Sequence, residues 1–189
     1  MARGILIFGP AGAGKTTVGR MVAERLQFQF LDRDNFIFKK DVEIPYSVRL
    51  SKEEQEKWLL KAMRRQKHFV LAGYMDYCSK KVSDCFDLAV HLDAPAAVRT
   101  ARVHRREYAI YGDRVLEGGD LYEMHNRFLD IAASYDDETK PHRQKHLDWA
   151  KTLKCPVLYL SGEAPIDRNV RAILSAYRKA AGSEEQADS

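Results

Sequence analysis

Apolar residues along this chain switch repeatedly between a strand period and a helix period. Gly4–Phe8 is a short apolar run ending in glycines, the form of a strand buried on both faces. In Thr16–Leu26, Val18, Val22 and Leu26 share one helical face while Arg20, Glu24 and Arg25 fill the other, which predicts an amphipathic helix. Phe28–Leu31 predicts a second strand, closed by Asp32-Arg33-Asp34-Asn35, and the alternating Phe28, Phe30, Phe36 and Phe38 read as core residues. Phe36–Ser51 mixes polarity and contains Pro45. Ser51 with Glu54 forms a capping box that opens a helix, with Trp58, Leu59, Ala62 and Met63 as its expected buried stripe.

His68–Ala72 and Phe86–Leu92 predict the third and fourth strands. Pro95 opens a long arginine-rich helical segment, interrupted at Tyr111-Gly112-Asp113 and again at Gly118-Gly119 before Asp120–Ala133. Another helix is expected over His142–Leu153, then a fifth strand at Pro156–Leu160 and a last helix at Ile166–Ala180. Strands alternating with helices imply a parallel sheet covered on both faces, an α/β fold. The pattern predicts one domain over residues 1–181 with two excursions, near 36–65 and 99–135, and a loose acidic tail at 182–189.

Composition narrows the classes. The length of 189 residues suits one domain at a prior of roughly 150 residues each. A net charge of +4 with 45% hydrophobic residues is an ordinary globular balance. No apolar run approaches the ~20 residues a membrane span needs, so no membrane partner is expected. Met1–Phe8 is expected to be a first strand, not a signal peptide. Cys78, Cys85 and Cys155 form no CxxC pair, which argues for reduced thiols and a cytoplasmic location. His142 and His146 lack a third ligand and read as surface histidines, and Trp58 and Trp149 as packing residues.

The chemistry rests on Gly9-Pro10-Ala11-Gly12-Ala13-Gly14-Lys15-Thr16, which fits G-x-x-x-x-G-K-[ST] between a predicted strand and a predicted helix. Its glycines let backbone wrap an anion closely, and the amides at the helix start point at phosphate. Lys15 supplies a mobile charge to the β- and γ-phosphates, and the Thr16 hydroxyl suits Mg²⁺. Gly9 through Thr16, with Thr17, is therefore the expected nucleotide-binding stretch. Neither an Asp-x-x-Gly switch nor an Asn-Lys-x-Asp guanine reader is present, which speaks against a signalling GTPase. His68–Gly73 ends in glycine where a motor ATPase would show Asp-Glu. The densest run of arginines is one segment, the net charge is modest and no recognised nucleic-acid module appears, so no nucleic-acid partner is expected.

The whole chain resembles the small P-loop kinases: shikimate kinase, gluconate kinase and the nucleoside monophosphate kinases. The residues that carry the likeness are the phosphate loop, Asp32-x-Asp34, Gly73, Leu92-Asp93-Ala94-Pro95, the arginines beyond it, and Leu160-Ser161-Gly162-Glu163-Ala164-Pro165-Ile166. The resemblance implies a three-layer P-loop NTPase fold with a five-stranded parallel sheet in the order 2-3-1-4-5, an acceptor-binding helical excursion, an arginine-rich lid, and ATP as phosphoryl donor. Carried over from shikimate kinase, Asp34 would position or deprotonate an acceptor hydroxyl, and Asp32 with Thr16 would hold Mg²⁺. An Asx turn or helix cap is the competing reading of this pair.

Arg99, Arg102, Arg105, Arg106 and Arg114 crowd the lid segment, with spacings that put Arg99, Arg102 and Arg106 near one helical face. Arg114 is the expected catalytic arginine and Arg105 the expected nucleotide contact. Arg49, Gly73 and Arg127 complete the expected acceptor site beside Asp34. Shikimate kinases carry three glycines where only Gly73 stands before Tyr74-Met75-Asp76, and an acceptor-helix arginine for which Arg49 is the nearest substitute. Shikimate itself is thus not the expected acceptor. The leading expectation is an ATP-dependent kinase, with Lys15, Asp34 and Arg114 catalytic, acting on a hydroxyl of a small metabolite, nucleoside or antibiotic. A nucleoside monophosphate kinase, in which Asp34 is dispensable, is one alternative; an ATP-binding regulator with slow ATPase activity is another.

Overall fold

The computed structural model describes residues 3–39, 42–43, 47–75, 78–140 and 142–187, with side chains to residue 181. Pro45 and Asp76, noted in the sequence, lie outside the described residues. In chain order the elements are β1 (Arg3–Phe8), α1 (Lys15–Leu26), β2 (Gln29–Asp32), α2 (Asp34–Ile37), α3 (Lys52–Arg64), β3 (His68–Ala72), α4 (Lys80–Ser83) and β4 (Phe86–Asp93). They continue with α5 (Ala96–Tyr111), a 3-10 turn (Gly112–Val115), α6 (Tyr122–Ala133), a second 3-10 turn (Ser134–Asp136), α7 (His142–Lys151), β5 (Val157–Ser161) and α8 (Ile166–Ala187). The strands form one parallel sheet in the order β2-β3-β1-β4-β5, as the family resemblance implied.

The apolar run of β1 follows from its place at the sheet's centre, between β3 and β4, where both faces are covered. Ile5 and Ile7 pack toward α1 and α8 with Val18, Val22, Val170 and Ile173. Leu6 and Phe8 face the other side and pack with Leu59 and Met63 of α3 and Ala150 of α7. The register aligns Ile7 with Ala72 and Phe8 with His91, so β1, β3 and β4 deliver Gly9, Gly73 and Asp93 to the same edge. That carboxyl edge is where parallel sheets of this kind hold ligands.

Helix α3 opens with the expected capping box: Glu54 N–H donates to Ser51 Oγ at 3.2 Å and Ser51 N–H to Glu54 Oε2 at 2.9 Å. Its buried stripe keeps the expected Leu59 and Met63 but takes Gln55 in place of Trp58, with Ala62 half-buried. The glutamine is satisfied by donating to the Leu50 carbonyl at 2.8 Å. Trp58 falls outside this stripe, stays 47% exposed and lies under Lys61. Phe28 is half-buried, stacked on His68 and edge-on to Tyr177, while Phe38 lies beneath Arg49. Helix α8 continues past the expected Ala180 to Ala187, through residues that are mostly good helix formers, so part of the tail expected to be loose is helical. No helix among the described residues is long and apolar enough to cross a membrane.

Candidate active site

The loop after β1 is shaped by three glycines at positive φ: Gly9 (141°), Gly12 (78°) and Gly14 (102°). At Gly9 a Cβ would meet the Leu92 carbonyl, and at Gly12 the Arg99 carbonyl, so the loop is wedged between the end of β4 and the root of α5. At Gly14 a Cβ would meet only ordinary contacts with Arg102 and Leu92, and it is the left-handed backbone, capping α1, that demands glycine. The first amides of α1 have no intrahelical acceptor and face the loop, which suits an anion. Pro10 and Ala13 are buried under it, Ala11 is half-buried, and Thr17 is exposed on the first turn of α1.

Lys15 curls back over the loop and its Nζ donates to the Pro10 carbonyl at 2.6 Å. Desolvation lowers its pKa to about 8, against the opposing pull of Asp34 and Asp32. Thr16 Oγ1 donates to Asp32 Oδ2 at 3.1 Å, while the other oxygen, Oδ1, accepts from Asp34 N–H at 3.1 Å. Asp32 thus makes the Asx-type turn of the competing reading and also pairs with the Thr16 hydroxyl. A hydroxyl paired with a carboxylate, beside a loop with room only for backbone, is a donor set that fits a hard cation and a phosphate chain. Asp34 is the first residue of α2, on the cleft rim. Desolvation and then the neighbouring Asp32 push its pKa up, with Lys15, Arg33 and Arg106 opposing.

Gly73, with φ 141°, closes this corner: its N–H donates to the Ile7 carbonyl at 2.9 Å, and a Cβ there would meet the Arg33 side chain. Lys15, Thr16, Asp32, Asp34 and Gly73 therefore converge as the sequence suggested. The arginines are distributed otherwise. Arg114 is exposed, its guanidinium gripped on two sides by Asp120 at 2.9 and 2.7 Å. Arg127, on α6, is exposed and donates to the Glu123 carbonyl at 3.3 Å, Arg49 lies over Phe38, and Arg105 is exposed on the outer side of α5. None of these four is brought to the loop.

Three other arginines act on the loop and its carboxylates. Arg33 and Arg106 are the arginines whose charges weigh most on both Lys15 and Asp34. Arg102 donates to the Gly162 carbonyl at 3.1 Å and reaches the Ala13 carbonyl at 3.5 Å, tying the phosphate loop to the turn after β5. Arg99 is buried: it donates to Ala132 O at 3.1 and 2.9 Å and to Ala94 O, and pairs with Asp93 at 3.3 Å and Asp136 at 3.0 Å. It anchors the lid and is no phosphate ligand. The signal for this sorting was the phase of α5, whose buried face is Arg99, Val103 and Glu107.

Below the loop, Tyr135 Oη links His91 Nε2 at 2.9 Å to His146 Nδ1 at 3.0 Å, all three side chains buried. Burial pushes His91 down and His146 to about 3, so both are neutral imidazoles. His146 is thus a core residue packed on Tyr74, not the surface histidine expected from sequence. His91, Asp93, Arg143 and Tyr159 line a 460 Å³ cleft at the outer end of β4 and β5.

A family profile described as Shikimate kinase matches residues 11–118, more than half of the chain. Uncharacterized protein YqaC of Bacillus subtilis (strain 168) is 32% identical over 180 residues, 92% of this chain and 97% of that protein. A shikimate kinase of Pseudoalteromonas translucida (strain TAC 125) is 31% identical over 112 residues, 54% of this chain and 65% of that enzyme. Shikimate kinase from Bacteroides thetaiotaomicron superposes with a TM-score of 0.56 at 17% identity, covering 92% of this chain and 97% of that one. A gluconokinase from Sinorhizobium meliloti 1021 gives 0.53 at 16%, covering 97% of each. At those identities the structural likeness speaks for the fold.

Proposed function

Because the chain belongs to the shikimate kinase family, we propose that it transfers the γ-phosphoryl group of ATP to a hydroxyl of a small molecule, with Mg²⁺ as the metal. The observation that carries this reading is the convergence of Asp34 with Lys15 and the Thr16–Asp32 pair at the strand ends. An alcohol acceptor needs a carboxylate where its proton leaves, and Asp34 stands beside the lysine that faces the donor phosphates.

Gly9–Thr17 would hold the triphosphate, and Thr16 with Asp32 would hold the metal. When bound, Mg²⁺ would supply charge neutralisation along the phosphate chain. Lys15 would follow the transferring group, and Arg106, with Arg33 on the opposite wall, would stabilise its equatorial oxygens. Arg102 would secure the nucleotide side of the cleft by fixing the loop against the turn at Gly162. Asp34 would orient the acceptor hydroxyl and take its proton. With one glycine at position 73 and Arg49 turned onto Phe38, the acceptor is a hydroxyl compound other than shikimate.

ADP release from MgATP, screened over hydroxyl metabolites, nucleosides, aminoglycoside-type antibiotics and nucleoside monophosphates, tests this. The expected result is a phosphorylated alcohol product whose formation falls about 10²–10⁴-fold in Asp34→Asn, with MgATP affinity kept. Turnover with monophosphates alone, surviving that substitution, would overturn the reading.

A further inference from the structure

Resting on the kinase reading, we infer that Glu107 is a positioning residue for phosphoryl transfer: held by His125, it fixes the guanidinium of Arg106 on the inner side of the lid. Glu107 lies on the buried face of α5, yet its carboxylate is not part of the loop chemistry. His125, buried on α6, donates from Nδ1 to Glu107 Oε2 at 2.5 Å. The second nitrogen of His125 shares a hydrogen bond of 2.9 Å with His104 Nδ1, so the imidazole is held from both sides. The remaining oxygen, Glu107 Oε1, accepts from Arg106 at 3.4 Å, and the Arg106 guanidinium lies 5.7 Å from the Phe128 ring centre.

Two neighbours, Glu107 and Phe128, thus shape one arginine that is otherwise half in solvent. With the Arg106 end of this pair in solvent, the pair adds little stability, at most about 1 kcal/mol, so its own stability is a poor reason for turning a carboxylate oxygen toward that arginine. Orientation is a better one. Arg106 feels Asp34 across the cleft, and a long side chain free to swing would settle on that carboxylate and cover the acceptor's base. A fixed anion on the lid side keeps the guanidinium home while leaving its other N–H groups for the phosphoryl oxygens. Preorganised donors of this sort act where charge develops, without reorganising during the step.

The test compares binding of MgADP alone with binding of MgADP plus aluminium fluoride, a mimic of the group in flight, in the full chain. Wild type should bind the fluoride complex more tightly. Arg106→Ala should cut that preference about 10²-fold, as for loss of a transition-state donor. Glu107→Gln, which keeps shape and removes charge, should cut it by roughly 10-fold, the scale at which supporting partners act. MgADP affinity should stay within about twofold in both. The double variant should match Arg106→Ala alone, because Glu107 works through that arginine. His125→Gln loosens the same carboxylate from its far side and should move the preference in the same direction, even if Glu107→Gln does not fold. Equal losses for MgADP with and without fluoride, or additive effects in the double variant, would overturn the inference. A wild type with no preference for the fluoride complex would overturn the kinase reading itself, and this inference with it.

Discussion

Lys15 and Asp34 titrate toward each other, and that sets a pH signature. Asp34 must be ionised to accept a proton, and its pKa lies above the usual carboxylate value, so activity should rise with pH through that raised pKa. Lys15 must be charged to serve the phosphates, and with a pKa of about 8 it loses charge above that point. The expected kcat/KM profile is a bell whose alkaline limb falls near 8. Bound phosphates add negative charge beside Lys15 and raise its pKa, so the alkaline limb of kcat should lie higher than that of kcat/KM. Identical alkaline limbs in a steady-state pH series would remove Lys15 as their source. Lys15 was legible because its place is tied to a fixed motif spacing that needs no tertiary information, whereas Asp34 was singled out by the family resemblance. The arginines were not legible, since any of five in one segment satisfies the same chemistry on paper. Only the phase of α5 tells that Arg99 turns inward while Arg105 turns out.

Helix α3 separates what local rules fix from what packing decides. Its start is written in Ser51 and Glu54, and the reciprocal hydrogen bonds form as the residues dictate. Ser51→Ala should cost about 1 kcal/mol in urea unfolding. Its buried stripe was harder to read, because the large apolar Trp58 competes with the polar Gln55 for an inward place. Gln55 takes it by donating to Leu50, and the indole stays under Lys61. Trp58→Ala should therefore shift stability by no more than about 0.5 kcal/mol, whereas Leu59→Ala should cost roughly 2–5 kcal/mol. A large loss for Trp58→Ala would mean that the helix packs by the sequence pattern after all. The strands, by contrast, were legible almost to their ends; for β1 and β3, apolar runs ending in glycine leave little choice in a sheet covered on both faces.

At the scale of the molecule, the buried His91–Tyr135–His146 chain couples the fold to acidity. The folded-state pKa of His146 is about 3, against about 6.5 for an unfolded histidine. Above 6.5 the imidazole is neutral in both states and has no effect. As pH falls below it, the unfolded chain takes up the proton and the folded one does not, so stability drops until the folded pKa is reached, by up to about 1.4 kcal/mol per pH unit. Melting curves should show Tm falling between pH 6.5 and 4.5, and less steeply in His146→Gln than in wild type. Nothing in the sequence announced this cluster, because its members come from β4, the turn after α6 and α7, and meet only in the folded chain. The anchor beside it has a consequence for how the chain tolerates change. Arg99 grips Ala94 and Ala132 by their carbonyl oxygens, which every amino acid possesses. Saturation mutagenesis should find positions 94 and 132 limited by size alone and position 99 intolerant even of lysine, whose single nitrogen cannot span carbonyls on two elements. Mutational drift is thus free to remodel the lid's outer residues, while one side chain keeps whatever lid results attached at the same place.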